Sequence, residues 1–253
     1  MTAVVAYKWT ANPQDAKVGP DGVVDWSRAK ASLSEYDPIA MQLAREVAEA
    51  AGTDLVGISV GSSGTGSSMA KKAALSRGLD RALLVLDDDA ADWNLTKVAE
   101  ALAKLVQRIE GADILFTGEG SIDENAKMTP ALVAGFLGWP AFFGVASAEK
   151  TDAGWRITQN IPGGLRTIEV VGPVVVAAAT DAAQPRIPGM KEILAAGKKP
   201  AEEVPVSELD LAEVPAEVTG RERPAKKARK QVVFEGEDAV SELVAALRSD
   251  GLI

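Results

Sequence analysis

ILFTGEGSIDENAKMTPALVAG, residues 114–135, is the stretch from which the 253-residue chain is best read. Ile114-Leu115-Phe116 is an apolar run of the kind that makes a short buried strand. A loop rich in Gly, Ser and acidic residues follows, and an Ala/Leu/Val helix begins at Thr129-Pro130. Thr is a good N-cap, and Pro suits the first helical position because its missing N–H has no helical partner there. A strand, a polar loop and a helix N-terminus form a common nucleotide-holding arrangement, since free N–H groups and the helix dipole favour phosphate. The plain alternative is one more strand-to-helix connection in an α/β sheet.

Composition narrows the choices. Hydrophobic residues at 47% and charged residues at 25% are ordinary for a globular protein. No run approaches the roughly 18 apolar residues of a membrane span. The opening MTAVVAYKWT has no basic segment ahead of an apolar core, so it reads as a first strand rather than a secretory signal. The absence of cysteine excludes disulfides and suits a cytoplasmic protein. The absence of histidine excludes Ser-His-Asp and Cys-His catalysis and His-ligated zinc. Chemistry then falls to carboxylates, Lys, Tyr or a bound cofactor, which favours a cofactor-dependent protein over a stand-alone enzyme. A net charge of −9 argues against nucleic-acid binding. The basic run Arg221 to Lys230, RERPAKKARK, reads as a solvated linker.

In chain order, Val4–Lys8 is a first strand, and Asn12–Asp25 is turn chemistry around a hairpin tipped by Pro20-Asp21-Gly22. A helix runs from Pro38 through Ala50, with Ile39, Leu43, Val47 and Ala50 as its buried face. Strands at 55–60 and 81–86 flank a Gly/Ser loop and a helix that stops at Gly78. A long amphipathic helix spans 94–110. Strands follow at 140–147, 155–159, 166–171 and 174–179. The predicted fold class is α/β: a mostly parallel twisted sheet with helices on both faces, Rossmann-like and suited to a nucleotide, plus an extended C-terminal arm. Residues 1–183 form the nucleotide-binding domain. Residues 184–253 form a loop and arm with a short helix near 191–196, a returning strand at Val232–Phe234 and a terminal helix at 238–248. Such an arm lies either on its own domain or around a partner.

Three motifs need weighing. Gly61-Ser62-Ser63-Gly64-Thr65-Gly66 follows a strand and precedes a helix, but a Walker loop needs Lys at Ser67 and a dinucleotide fingerprint needs Gly at Met69. It remains a nucleotide-facing loop. Asp87-Asp88-Asp89 reads as a solvated strand end rather than a magnesium site, and no metal site is expected. Asp123-Glu124 reads as a bonding partner for backbone or ribose hydroxyls rather than an acid–base pair. Trp9, Trp26, Trp93, Trp139 and Trp155 are scattered singly and read as packing.

Together, VVAYK at the start, SLSEYDPIA at 32–40, the LSRGLDRALLV pattern, GEGSIDENAKMT and PRIPGMKEILAAGKKP at 185–200 resemble the small (β) subunit of electron transfer flavoproteins. The resemblance spans essentially the whole chain and looks closest to the FixA-like branch, tied in some bacteria to carnitine or anaerobic electron pathways. It implies a heterodimer with the large (α) subunit and electron exchange with an acyl-CoA-type flavin dehydrogenase. It also implies a nucleotide on this subunit: FAD, here or shared with the large subunit, or AMP. The family's cofactor contacts carry over to Ala6, to Ser34, Glu35, Tyr36 and Asp37, and to Val60. They carry over further to Gly118, Glu119, Gly120, Ser121, Ile122, Asp123, Glu124, Asn125, Ala126, Lys127, Met128 and Thr129. Partner docking carries over to Arg186, Ile187, Met190 and Ile193, with Met190 as the apolar anchor. Two departures leave FAD, AMP or an empty site as the alternatives and tilt the expectation towards FAD. Pro130 stands where the family has Gly, which removes one N–H from the phosphate cradle, and Ser34-Glu35 replaces an Asn-Pro pair. The alternative is an adenine-nucleotide-binding module or an ATP-dependent enzyme of related fold without a redox role.

Overall fold

The computed structural model describes residues 1–213, 219, 225, 228 and 231–253. In order, its elements are β1 (Thr2–Ala6), β2 (Trp9–Ala11), β3 (Lys17–Val18), β4 (Val24–Asp25), β5 (Ala31–Leu33) and α1 (Asp37–Ala51). Next come β6 (Leu55–Gly61), α2 (Ser68–Leu75), β7 (Arg81–Leu86), α3 (Leu95–Gln107), β8 (Ala112–Gly118) and α4 (Thr129–Leu137). The chain continues through β9 (Ala141–Lys150), β10 (Gly154–Ile161), β11 (Gly164–Val171), β12 (Val174–Ala178), α5 (Met190–Ala196), β13 (Ala201–Glu203) and α6 (Ala239–Ser249).

Nine strands form one sheet in the order β11-β10-β9-β12-β8-β1-β6-β7-β13. Every pairing from β9 to β13 across the sheet is parallel, and only the β9-β10-β11 meander at one edge is antiparallel. The central strands are apolar on both faces, as a sheet covered on both sides requires. Ala3, Val5, Ile114, Phe116, Val174 and Val176 face α1, α2 and α5 in one core layer. Val4, Leu115 and Val175 alternate with them and face α3 and α4 in the other. Side-chain caps fix two helix starts: Asn94 accepts the Lys97 N–H ahead of α3, and Ser67 accepts the Ala70 N–H ahead of α2. Gly52, at φ +63, ends α1 in the left-handed conformation that glycine adopts without strain.

The structure differs from the sequence reading in four places. The buried face of α1 is Ala40, Met41, Leu43, Ala44, Val47 and Ala48, while Ala50 is exposed; the helix sits rotated towards its small residues, which let it approach the sheet closely. Thr129 is not the cap of α4. Met128 holds that position without a capping side chain, because Lys127 at φ +54 turns the chain one residue earlier. The segment 201–209, read as arm, adds β13 to the sheet beside β7 and buries Val204 and Leu209. Val232–Phe234 is not a strand; among the described residues none pairs with it, and Val232 and Val233 are exposed.

The chain divides into two compact units, Met1–Thr219 and Gly220–Ile253, so residues 184–219 group with the sheet. Within the second unit, α6 carries Val240, Leu243, Val244 and Leu247 along one stripe, with Val240 and Leu243 exposed. The basic run from Arg221 to Lys230 lies outside the described residues apart from Ala225 and Ala228. No helix among the described residues is long and apolar enough to cross a membrane.

Candidate nucleotide-binding crevice

The chain leaves β1 for β6 and β7 on one side, then returns through α3 to place β8 on the other side of β1. Loops after β1 and β8 therefore diverge at their C-terminal ends, which is where open α/β sheets hold ligands. A cavity of about 420 Å³ opens there. One wall is polar and comes from the end of β1, the start of α1 and the end of β8: Lys8, Asp37, Thr117, Glu119 and Asp123. The rest of the lining includes an apolar wall, with Ala90, Ala91 and Trp93 from the segment leading into α3 and Leu95, Val98 and Leu102 from α3 itself.

Lys8 ties the polar wall together. Its backbone N–H donates to Asp37 Oδ2 at 2.6 Å, and its Nζ donates to Asp123 Oδ2 at 2.6 Å. Thr10 Oγ1 donates to the same Asp123 oxygen at 2.9 Å. The loop after β8 is pinned twice more: Ser34 Oγ accepts the Ile122 N–H at 3.1 Å, and the Asn125 N–H returns to the Ser121 carbonyl at 2.9 Å. Asn125 and Lys127 adopt φ of +47 and +54, a conformation that costs energy outside glycine and that the surrounding bonds must hold. Gly118 ends β8 where a Cβ would lie 2.7 Å from Tyr36 Cβ and 3.0 Å from Asp37 Oδ1, so only glycine lets the α1 N-terminus approach.

The two aspartates on Lys8 titrate in opposite directions. Burial pushes Asp37 up to about 8, against the opposing pull of the Lys8 N–H and charge, and the Asp123 charge adds to the rise. Asp37 thus carries a proton at neutral pH. Burial also pushes Asp123 upward. The hydrogen bonds from Lys8, Ser121 and Thr10, together with the Lys8 charge, outweigh it and hold that carboxyl at about 2. Tyr7, the residue before Lys8, is raised by burial first and then by the Asp37 charge.

Of the residues the sequence singled out, Ala6, Asp37, Val60, Gly118, Glu119, Gly120, Ser121, Asp123, Glu124, Ala126, Lys127 and Thr129 line this cavity. Ser34, Glu35, Tyr36, Ile122, Asn125 and Met128 do not line it. Ser34 is buried and works as the loop's anchor, whereas Glu35 and Met128 are exposed. Gly61, Ser62 and Gly64 line it too, from the loop read as nucleotide-facing. The sequence reading missed Tyr7, Lys8, Thr10 and the apolar wall. Lys8 was within reach, since it directly follows the first strand at its ligand-facing end. Trp93 gave no such signal, because a single tryptophan after an acidic run is read as packing.

The residues suit a nucleoside. Thr117 Oγ1 is buried in the polar wall without a protein partner, an acceptor and donor left over for a ligand hydroxyl. Trp93 and its aliphatic neighbours offer an apolar wall to a flat ring. Lys8 and Lys127 are the lining cations, against the carboxylates of Glu119, Asp123 and Glu124. Lys8 is engaged by Asp123, and Lys127 lies 3.7 Å from Glu119.

A second exposed feature lies on α5 and the turn before it. Ile187, Met190 and Leu194 are 88%, 72% and 63% exposed. Their spacing places Met190 and Leu194 on one helical face, with Ile187 just ahead of it. Ile193, also expected at this surface, is half-buried.

The family model of the electron transfer flavoprotein domain matches residues 21–209. That span takes in α1, the loop after β8, the apolar wall and the α5 turn; β1, with Ala6 and Lys8, precedes it. The parallel sheet, its crevice and the length of this match agree, and the chain belongs to the electron transfer flavoprotein domain family.

Proposed function

We propose that this chain is the small (β) subunit of a heterodimeric electron transfer flavoprotein of the FixA-like branch. In this reading it pairs with the large (α) subunit and carries electrons between a flavin dehydrogenase of the acyl-CoA or carnitine type and other redox carriers, with flavin-based bifurcation as an option. It binds an adenine nucleotide in the crevice between β1 and β8, and it works in the cytoplasm. The observation that carries the reading is the crevice itself: a ligand site at the switch point of the sheet, walled by the family's contact residues.

Lys8, Asp123 and Thr10 hold the loop after β8 in place, and Asp37 and Thr117 would hold the sugar hydroxyls of a bound nucleotide. Trp93 and Leu95 exclude water from the ring. When bound, a flavin supplies the electron-carrying chemistry, and the protein supplies orientation and electrostatics. The cavity sits near the low end of the roughly 300–1,000 Å³ usual for small-molecule sites, so it suits one nucleotide half of FAD. The rest of FAD would then rest on the large subunit, which makes a shared FAD the favoured cofactor and AMP the alternative. An ATP-hydrolysing role is disfavoured, since the two lining lysines both face carboxylates and leave a triphosphate little compensation.

In partner docking, Met190 is the apolar anchor, with Ile187 beside it and Arg186 and Ile193 supporting. Co-expression with the large subunit, denaturation and quantification of released FAD and AMP tests the cofactor reading. Two FAD per heterodimer supports a flavin on this subunit. One FAD with one AMP assigns the crevice to AMP. A single FAD with no second nucleotide fits a FAD shared between the subunits if Asp123→Ala releases it; retention of that FAD by the variant overturns the crevice as a nucleotide site.

A further inference from the structure

The α5 turn is held in place by a polar brace. Glu192 uses both carboxylate oxygens on its own turn: Oε1 accepts from the Arg186 guanidinium, and Oε2 accepts the Gly189 N–H at 2.7 Å. Arg186 is engaged at its backbone as well. Its carbonyl accepts from Arg77 Nη1 at 3.3 Å, and its N–H donates to Gln42 Oε1 at 3.4 Å. These two bonds join the turn to α1 and to the end of α2. At the far side, Lys199 Nζ donates to the carbonyls of Leu75 and Leu79, fixing where α5 leaves off.

The seven residues of α5 are too few to hold a helix without outside support. Three large apolar side chains in water would instead favour folding back onto the surface. Yet Ile187, Met190 and Leu194 remain outward. The bonds that oppose collapse converge on Arg186 and Glu192. Exposed Lys191 and Lys198 flank the stripe, so the matching partner surface is an apolar socket with an acidic rim.

We propose that Glu192, together with Arg186, is a positioning residue that presents the Ile187–Met190–Leu194 stripe preformed to the dehydrogenase partner. The inference rests on the docking reading of Met190 given above. A braced stripe has little freedom left to lose on docking, whereas an unbraced one must be ordered in the encounter, which weakens association. Glu192 touches neither flavin nor the reacting atoms. Its loss therefore acts on the encounter and leaves the electron-transfer step alone.

The test uses the flavin-loaded heterodimer as electron acceptor for an acyl-CoA dehydrogenase reduced by its own acyl-CoA. Glu192→Ala is expected to raise the apparent KM for the heterodimer about tenfold with kcat unchanged, the size of a lost pre-ordering advantage. Glu192→Gln keeps one acceptor oxygen but sets an amide donor against the other N–H group, and is expected to recover only part of that loss. Hydrogen exchange of residues 187–197 in the free heterodimer is expected to quicken in Glu192→Ala while exchange in the sheet stays as before. Met190→Asp serves as the separate control. If Met190→Asp leaves the kinetics unchanged, the docking reading fails, and this inference with it. If Met190→Asp raises KM but Glu192→Ala alters neither KM nor exchange, the stripe docks without needing the brace, and only the positioning inference is overturned.

Discussion

The crevice and the α5 stripe break the usual rule of burial in opposite senses. The crevice takes polar groups inside: Asp37 is buried, and Asp123 is largely covered and paired with Lys8. The stripe puts Ile187, Met190 and Leu194 outside. Each costs free energy that must be offset by bonds nearby. In the crevice the compensating groups are the site itself, so its behaviour follows pH. At the stripe they are Arg186 and Glu192, which stand behind the contact surface, so the surface can change without disturbing its support.

The widest separation between the two is expected from pH. Asp37 shifts from an ordinary 3.8 to about 8 in the fold. Between those values the folded state keeps a proton that the unfolded chain has released, so stability falls as pH rises from about 4 to about 8 and levels off beyond. At about 1.4 kcal/mol per unit, the fall amounts to a few kcal/mol. Asp37→Asn retains an acceptor for the Lys8 N–H and is expected to flatten this slope. Urea midpoints of the heterodimer across pH 5–8 check it, and parallel curves for variant and parent would refute the assignment. Asp123 has the opposite sign, since its contribution is present above about 4 and is lost as pH falls towards 2.

Removing the pinning carboxylate comes next. Asp123→Ala leaves Lys8 and Thr10 without their shared acceptor and is expected to cost about 2 kcal/mol in unfolding free energy. It should also lower nucleotide retention after gel filtration. Unchanged nucleotide content would mean that the loop holds its shape without Lys8. Met190→Asp, at the stripe, is expected to slow electron transfer with the dehydrogenase about tenfold, close to 1.4 kcal/mol, with unfolding and cofactor content as before. A matching loss of stability would show that Met190 is a packing residue. The smallest effect belongs to Lys127→Gly, which relieves a left-handed backbone and is expected to raise the urea midpoint by the equivalent of roughly 0.5–1 kcal/mol. A drop instead would show that the Glu119 contact outweighs the strain.

The sheet was legible because its strands announce themselves as apolar runs separated by helices with matching stripes. The crevice loop was legible for the same reason, lying between such a strand and a helix marked by Pro130. Two kinds of information were not written locally. Residues 201–209 look like a polar tail, since a three-residue edge strand needs no run of its own and takes its register from β7. The apolar wall of the crevice depends on how α3 lies across the sheet, which brings Trp93 into one cavity with Lys8 although 85 positions separate them. The brace on α5 was hidden for a third reason: Arg186 and Glu192 are ordinary surface charges until the turn brings them together and the Arg186 backbone meets Gln42 and Arg77.

The position of β13 has a consequence for biosynthesis. On the ribosome, β7 emerges early and pairs with β6, but its other edge waits for Ala201–Glu203, which are translated more than a hundred residues later. Until then the nascent chain carries an open parallel edge of apolar residues, the kind of template that recruits neighbouring chains on a polysome. The bonds that close it, from the Ala82 N–H to the Pro200 carbonyl and from the Val204 N–H to the Leu84 carbonyl, form only when the segment just beyond α5 has left the exit tunnel. A message truncated shortly before that point would release a nearly finished sheet that is prone to aggregate, so its last short strand sets the moment at which the domain becomes safe to release.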